Sequence, residues 1–275
     1  MFCCPLCQRP LFVQQRALCC AAGHSFDLAA QGYVNLLPPN RGGSRDPGDN
    51  AGMIRARTTF LESGGYAPLR EALCETIGAL CTSPSPAILD AGCGEGYYID
   101  GLCAYLQALG WEPTLYGIDL SKHGVRHAAR RCPKGRFAVA SIFELPFSGH
   151  CLDLVYNVFS PLCPQEFHRV LRRGGHFVAV YPAARHLYSL KEVLYEHPYE
   201  NEEKSFELEG FSITGRRRLC YDFTAEGAQV LQSLFMMTPY YYKTPIEGAK
   251  RLAGLERLRT TADFWLVSYR KRGKL

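Results

Sequence analysis

The chain has 275 residues and is 47% hydrophobic, enough to bury a substantial core in one large domain with a small one beside it. No apolar stretch is long enough to span a bilayer, and the N-terminus opens on cysteines rather than on the basic start and apolar core of a secretory signal. Thirteen cysteines, an odd number scattered through predicted helices and strands, indicate a reducing, cytoplasmic setting, and the net charge of +5 is modest.

Residues 1–37 read as a small zinc-binding domain. Cys4-Pro5-Leu6-Cys7 is followed, twelve residues later, by Cys20-Ala21-Ala22-Gly23-His24, a C-x2-C and a C-x3-H pair. Two such pairs facing across a short hairpin complete a tetrahedron, and a thiolate and imidazole set without carboxylate suits zinc. Four protein ligands leave no open position for chemistry, so Cys4, Cys7, Cys20 and His24 form a structural site. Cys3 and Cys19 stand beside the proposed ligands and leave a register ambiguity; C-x2-C is tighter than C-x3-C, which favours Cys4 and Cys20. The plainer alternative is a set of buried free thiols. So short a segment has too little core to fold alone, which favours the metal. Short strands are expected around Leu11 to Val13 and Ser25 to Asp27.

Residues 38–52 are rich in Pro, Gly, Asp and Asn and read as a linker. Asn50 is placed to cap a helix through Leu61, and a second helix runs from Tyr66 to about Leu80, ended by Ser83-Pro84-Ser85-Pro86. From Ile88 to Tyr181, strands and helices alternate as in a parallel sheet with helices on both faces. The remainder of the 53–275 domain holds an acidic stretch, Glu200 to Glu209, a strand Phe211 to Leu219, and a helix near Ala225 to Leu234. A last strand, Thr261 to Tyr269, is expected antiparallel at the sheet edge.

Ile88 to Gly96 carries the strongest chemical signal. An apolar run ends in Asp90, and Gly92, Gly94 and Gly96 follow at alternating positions. The run reads as a buried strand and the glycines as the turn at its carboxyl end, where open α/β sheets bind ligands. Glycine there lets a ligand lie against bare main chain. Asp-x-Gly-x-Gly-x-Gly is tighter than the dinucleotide fingerprint and resembles the first motif of class I S-adenosylmethionine-dependent methyltransferases. A second strand, Thr114 to Leu120, carries Asp119, 23 residues beyond Gly96, where a carboxylate can accept hydrogen bonds from both ribose hydroxyls. A third, Arg136 to Ala140, leads to Ser141 and Ile142; in this superfamily that position borders the adenine. A fourth, Leu152 to Phe159, leads into Asn157-Val158-Phe159-Ser160-Pro161, where the superfamily places its catalytic loop. Arg169 to Phe177 looks like the turn before a fifth strand.

Positive charge is unevenly spread. Lys122 to Arg136 carries six Lys/Arg and no acid, while Arg41, Arg45, Arg55 and Arg57 cluster around the linker. Arg216-Arg217-Arg218 and the tail from Arg270 add two further runs. Such patches suit the phosphates of a polyanion, although a basic helix face is often simply solvated.

Taken together, the chain resembles the bacterial large-subunit (23S) ribosomal RNA guanine-N1 methyltransferases, which join a zinc site to a class I Rossmann-like α/β methyltransferase domain. The resemblance runs nearly end to end. It includes the four metal ligands, Gly32 to Pro38, Arg45 to Asp49, Arg57, Phe60-Leu61, Pro68-Leu69, Leu89 to Tyr98, Arg185-His186-Leu187, Met237-Thr238-Pro239 and Asp263-Phe264. It implies methyl transfer from S-adenosylmethionine to N1 of one guanine in a hairpin loop of the RNA, and a homodimer whose zinc modules help build the RNA cleft. It also implies cofactor contacts at Tyr66, Gly94, Glu95, Asp119 and His186. One branch of the family is associated with macrolide resistance.

The chemistry asks for an aligned nucleophile in an enclosed site and a splayed-out base. Guanine N1 must also lose a proton. Asn157 is placed to hold the base edge, Phe159 to stack on it, and His186 to move the proton. Two other readings use the same residues: a methyltransferase of a quinone or sterol, and a zinc-dependent RNA-binding protein without activity. In the first the zinc module is idle; against the second stand Asp90, Gly92, Gly94, Gly96 and Asp119, all intact.

Overall fold

A computed structural model describes residues 1–38, 47–203 and 205–273. Arg41 and Arg45, expected to contact RNA, lie outside these residues, as does Asp46.

The N-terminal unit is a three-stranded antiparallel sheet of β1 (Phe12–Gln14), β2 (Ala17–Cys19) and β3 (Ser25–Asp27). β2, which lies between the two anticipated strands and pairs with both, was not anticipated. β4 (Val34–Asn35) then leaves this unit and pairs in parallel with β7 (Arg136–Val139) of the main sheet.

α1 (Ala51–Glu62) and α2 (Ala67–Leu80) follow, α1 capped as expected by Asn50, whose side chain accepts from the Gly52 and Met53 N–H groups. The sheet is then built from β5 (Ala87–Ala91), β6 (Thr114–Asp119), β7, β8 (Leu152–Val158) and β9 (Leu171–Pro182). Between them run α3 (Tyr97–Ala108), α4 (Lys122–Arg131) and α5 (Pro164–Val170). Beyond β9 come α6 (Tyr188–Leu194), β10 (Phe211–Glu226), α7 (Ala228–Met236), α8 (Ile246–Ala253) and β11 (Arg257–Lys271).

The eight strands lie in the order β10-β11-β9-β8-β5-β6-β7-β4, parallel from β4 to β9, with β11 and β10 antiparallel. The order of winding reverses between β5 and β8, and the carboxyl ends of these two strands open the crevice that holds ligands in such sheets. Two expectations at the far edge are corrected. The last strand is not at the edge: β11 is covered by β10, which runs on to Glu226 and postpones the following helix to Ala228. The turn expected across Arg169 to Phe177 is partly strand: β9 starts at Leu171, and its pairing with β8 slips between Leu152 and Leu154 to take up the Gly174-Gly175 excursion.

Alternation along the strands divides the core in two. Ile88, Leu154 and Val178 face one side with Leu69, Leu73, Ile99, Leu102, Leu190 and Leu234 of the helices. Leu89, Val155 and Phe177 face the other with Phe167 of α5 and with Phe2, Cys4, Leu11 and Cys20 of the N-terminal unit. The second face is thus covered mainly by the zinc unit and one short helix. A bridge between Phe2 and Phe147, and Met1 donating to the Tyr116 hydroxyl at 2.6 Å, anchor that unit.

Candidate functional site

The four expected metal ligands converge. Cys4 Sγ and Cys20 Sγ each lie 3.4 Å from His24 Nδ1, Cys7 Sγ lies 3.6 Å from Cys20 Sγ, and all four ligand atoms fall within 4.8 Å of one another. A tetrahedral zinc with ordinary bond lengths gives edges of about 3.8 Å between sulfurs and about 3.6 Å from sulfur to nitrogen. The sulfur separation far exceeds a disulfide bond of about 2.05 Å. The register ambiguity resolves as well: Cys3 Sγ turns to Ser148 Oγ at 3.1 Å and Cys19 Sγ to Ser25 Oγ at 3.4 Å, away from the cluster. Burial pushes the Cys20 thiol up, but donors from the Ala22 and His24 backbone and from the Cys7 and His24 side chains outweigh it and bring it to about 6. A thiol so poised is ready to ligate as thiolate.

Beyond the carboxyl ends of β5 and β8 lies a cavity of ≈ 550 Å³. One wall is the glycine turn, with Gly92, Gly94 and Glu95; beside it are Asp119 at the tip of β6 and Ile142 after β7. Opposite stand Arg57, Leu61 and Tyr66 from the α1–α2 region. Val158 to Pro161, His186, Asn201 and Met237 to Tyr240 close the rest.

Gly92 has φ +97°, and a Cβ there would overlap Ser160 of the loop after β8, so only glycine keeps that loop on the turn. Gly96 does different work. At φ +92° its bare Cα lets α4 approach, since a Cβ would stand 2.7 Å from Ala128 Cα, and it does not line the cavity. Asp119 accepts the Gly94 N–H at 2.9 Å and the Ser121 N–H at 2.8 Å, one on each oxygen. Each oxygen retains a lone pair for a further donor.

Among the remaining expected cofactor residues, Asp90 is buried inside the sheet and accepts the Tyr156 hydroxyl at 2.9 Å, away from the cavity lining. Ser141 also stays off the lining; its hydroxyl accepts the Phe143 N–H at 3.2 Å. Glu95 is buried, and Arg131 from α4 approaches it to 3.0 Å behind the wall.

Tyr66, Phe159, His186 and Phe264 form an aromatic cluster at one end of the cavity. The Asp263 N–H donates to His186 Nδ1 at 3.3 Å, which puts the ring proton on Nε2, facing the Tyr66 hydroxyl at 3.1 Å. Burial pulls His186 down to about 3, against Asp263 and with Lys191, so the ring is neutral at physiological pH. Phe159 stays 44% exposed at the cavity and holds φ +56°, a strained value for a bulky residue of the kind that gathers at functional sites. Asn157 is buried; its amide donates to Ala91 O at 2.8 Å and Pro161 O at 3.1 Å, pinning the loop to the end of β5.

The sequence reading missed Asp49, Tyr98, Asn201 and Tyr240 on the cavity wall, and it placed Arg57 with the RNA-facing charge rather than here. Asn201 is held by Lys191, whose ammonium donates to it at 2.7 Å, and itself donates to Ala183 O at 2.9 Å. No local pattern marks it.

Residues 2–45 match the RlmA N-terminal zinc-ribbon family, and residues 88–175 match a methyltransferase-domain family. A Streptomyces fradiae 23S rRNA (guanine(748)-N(1))-methyltransferase is 33% identical over 258 residues, covering 92% of this chain and 90% of its own. The chain belongs to the RlmA-type 23S rRNA guanine-N1 methyltransferase family. A second member, YxjB of Bacillus subtilis (strain 168), provisionally named as such an enzyme, is 32% identical over 96% of this chain and 94% of its own. Among solved structures, a Bacillus halodurans C-125 protein provisionally described as a methyltransferase superposes with a TM-score of 0.50 at 15% identity, over 73% of this chain and 99% of its own, which shows the shared fold. As in the family, the zinc-ribbon Cys3His cluster precedes an S-adenosylmethionine-dependent methyltransferase domain.

Proposed function

We propose that the protein transfers a methyl group from S-adenosylmethionine to N1 of one guanine in a hairpin loop of 23S rRNA. The observation that carries this reading is the end-to-end similarity to rRNA methyltransferases, zinc ribbon and methyltransferase domain together.

In this reading Asp119 accepts the ribose hydroxyls, Ile142 covers one face of the adenine, and the turn from Gly92 to Gly94 lies along the ligand. Glu95 acts from just behind that turn. Tyr66 and His186 border the methionyl arm. Asp90, Gly96 and Ser141 support the site from outside the cavity: Asp90 through Tyr156, Gly96 through α4, Ser141 through the Phe143 backbone. The sulfonium would supply an electrophilic methyl group, so the chain's task is to align it with the base. Phe159, exposed at the cavity, stacks on the guanine, and Asn157 holds the loop that presents it.

With cofactor and guanine both bound, the cofactor would give its methyl group to N1 and leave as the neutral thioether, and the N1 proton would depart to solvent. The cavity's described side chains favour that route. His186 is neutral with both ring nitrogens engaged, Asp49 holds Arg57, Asp119 holds two backbone N–H groups, and Glu95 is buried beside Arg131 behind the wall.

In this division residues 1–37 present the RNA-facing zinc unit, 38–52 link it and 53–275 carry out methyl transfer, with Asp49 of the linker lending its carboxylate to the cavity wall. The protein works in the cytoplasm as a homodimer and alters macrolide sensitivity. Among the described residues no helix is long and apolar enough to cross a membrane. The test is transfer of labelled methyl to 23S rRNA, mapped by primer-extension arrest, because N1 methylation blocks the pairing edge. A stop at one hairpin guanine is expected; no transfer to RNA while cofactor binds would reject the RNA substrate.

A further inference from the structure

Arg57 stands two turns into α1, and its guanidinium forms part of the cavity wall. Its Nη2 pairs with Asp49 Oδ2 at 2.6 Å, and its Nη1 lies over the glycine turn, 3.1 Å from where a Cβ on Gly94 would sit. Both ends of this arrangement are fixed. Asn50 caps the helix that carries Arg57, and the Ser121 hydroxyl ties the Asp49 carbonyl to the segment after β6.

The charge inventory gives that geometry a meaning. Among the described residues lining the cavity, Asp49, Glu95 and Asp119 bring three carboxylates, and Arg57 is the one permanent cation. Glu95 is engaged behind the wall by Arg131. The methionyl arm of S-adenosylmethionine carries a carboxylate of its own. The arm's ammonium suits the acids Asp49 and Asp119 on the wall, but its carboxylate is repelled by them in a partly desolvated cavity unless a cation meets it. A guanidinium is a planar fork with donors on more than one edge, so it can hold Asp49 on one edge and a ligand carboxylate on another.

We propose that Arg57 binds the carboxylate of the cofactor's methionyl arm and makes the cavity select ligands that carry it. The inference rests on the methyltransferase reading of the cavity and replaces the expectation that Arg57 contacts RNA phosphate.

The test is calorimetric binding of S-adenosylhomocysteine and of its decarboxylated analogue, which keeps the adenosine, sulfur and ammonium, to the full-length zinc-loaded protein. Arg57→Ala should weaken S-adenosylhomocysteine by about tenfold or more, as expected for a charge-assisted pair, while the analogue changes by less than about twofold. Arg57→Lys should restore part of the discrimination, which shows that the variants fold. Equal loss of both ligands in Arg57→Ala would make Arg57 a wall residue only and overturn the proposal. So would unchanged affinity for S-adenosylhomocysteine. Failure of the unaltered protein to bind either ligand would instead overturn the methyltransferase reading itself.

Discussion

The zinc unit and the cofactor cavity are held by different forces. In the zinc unit three strands of three residues each surround four ligands, and Phe12 and Val13 of β1 are exposed. Its buried residues, Phe2, Cys4, Leu11 and Cys20, pack onto the sheet face that also holds Phe147 and Tyr116. It has little core of its own, so metal coordination and docking hold it together. The cavity is the reverse. One wall is made of loops that spring from buried strands and the other of α1, the start of α2 and the segment after α7, and its shape survives because the sheet and helices beneath it are packed. Loss of the metal should therefore be a local event, and damage to the sheet a global one.

The most direct way to break that comparison is Cys7→Ser. A structural zinc supplies about 10 kcal/mol or more of apparent binding free energy, and three remaining ligands should not retain it. Zinc content measured by mass spectrometry should fall to background and RNA methylation should be lost. Affinity for S-adenosylhomocysteine should change little. A parallel loss of cofactor affinity would mean that the ribbon and the sheet form one cooperative unit.

A second test reads the sheet through pH. Burial raises the Asp90 carboxyl to about 8, with Asp119 adding to the rise and the Tyr156 hydroxyl opposing it. The unfolded chain releases that proton near 3.8. Between these values the native state binds more protons than the unfolded state, so Asp90's contribution is fully present below the unfolded value. It is lost as pH rises toward 8, by about 1.4 kcal/mol per unit. Asp90→Asn removes this dependence. Its stability relative to the unaltered protein should climb from pH 4 to pH 8 in urea titrations; a flat difference would mean that Asp90 is ionised in the native state.

The two regions also differ in how far they could be read from residues alone. Cys4, Cys7, Cys20 and His24 lie within one short segment, and their spacing by itself constrains the geometry. The glycine turn and Asp119 were legible for a similar reason: each ends a strand whose apolar run is visible. The rest of the cavity comes from segments that meet only through sheet pairing. Strand order is a long-range property, which is why β11 was placed at the edge that β10 occupies. Arg57 did leave a trace. It lies three residues after Ile54 and four before Leu61, both buried, so it falls on the inward stripe of α1. Counted with its neighbours as charge, it looked like surface.

Smaller effects separate the cavity's support from its contacts. Gly96→Ala forces an ordinary side chain into φ +92° and against Ala128. Strain and crowding together should cost about 2–5 kcal/mol, read as a lowered urea midpoint. Cofactor affinity in the folded fraction should fall less than stability does; intact stability would mean that α4 yields and its contact with the turn is loose.

Asp119→Ala should act in the opposite sense, on binding more than on folding. It removes the acceptor for the Gly94 and Ser121 N–H groups together with the proposed ribose contact. Cofactor affinity should weaken by about 1–3 kcal/mol, the range for hydrogen bonds to a charged group. The informative comparison is with Arg57→Ala. A ribose contact is blind to the far end of the ligand, so Asp119→Ala should weaken S-adenosylhomocysteine and its decarboxylated analogue by the same factor. The two variants would then separate the ribose contact from the carboxylate contact by ligand selectivity alone. If Asp119→Ala instead discriminated between the two ligands, the loss of its charge near Arg57 would be acting on the carboxylate contact, and Asp119 would not be a ribose contact alone.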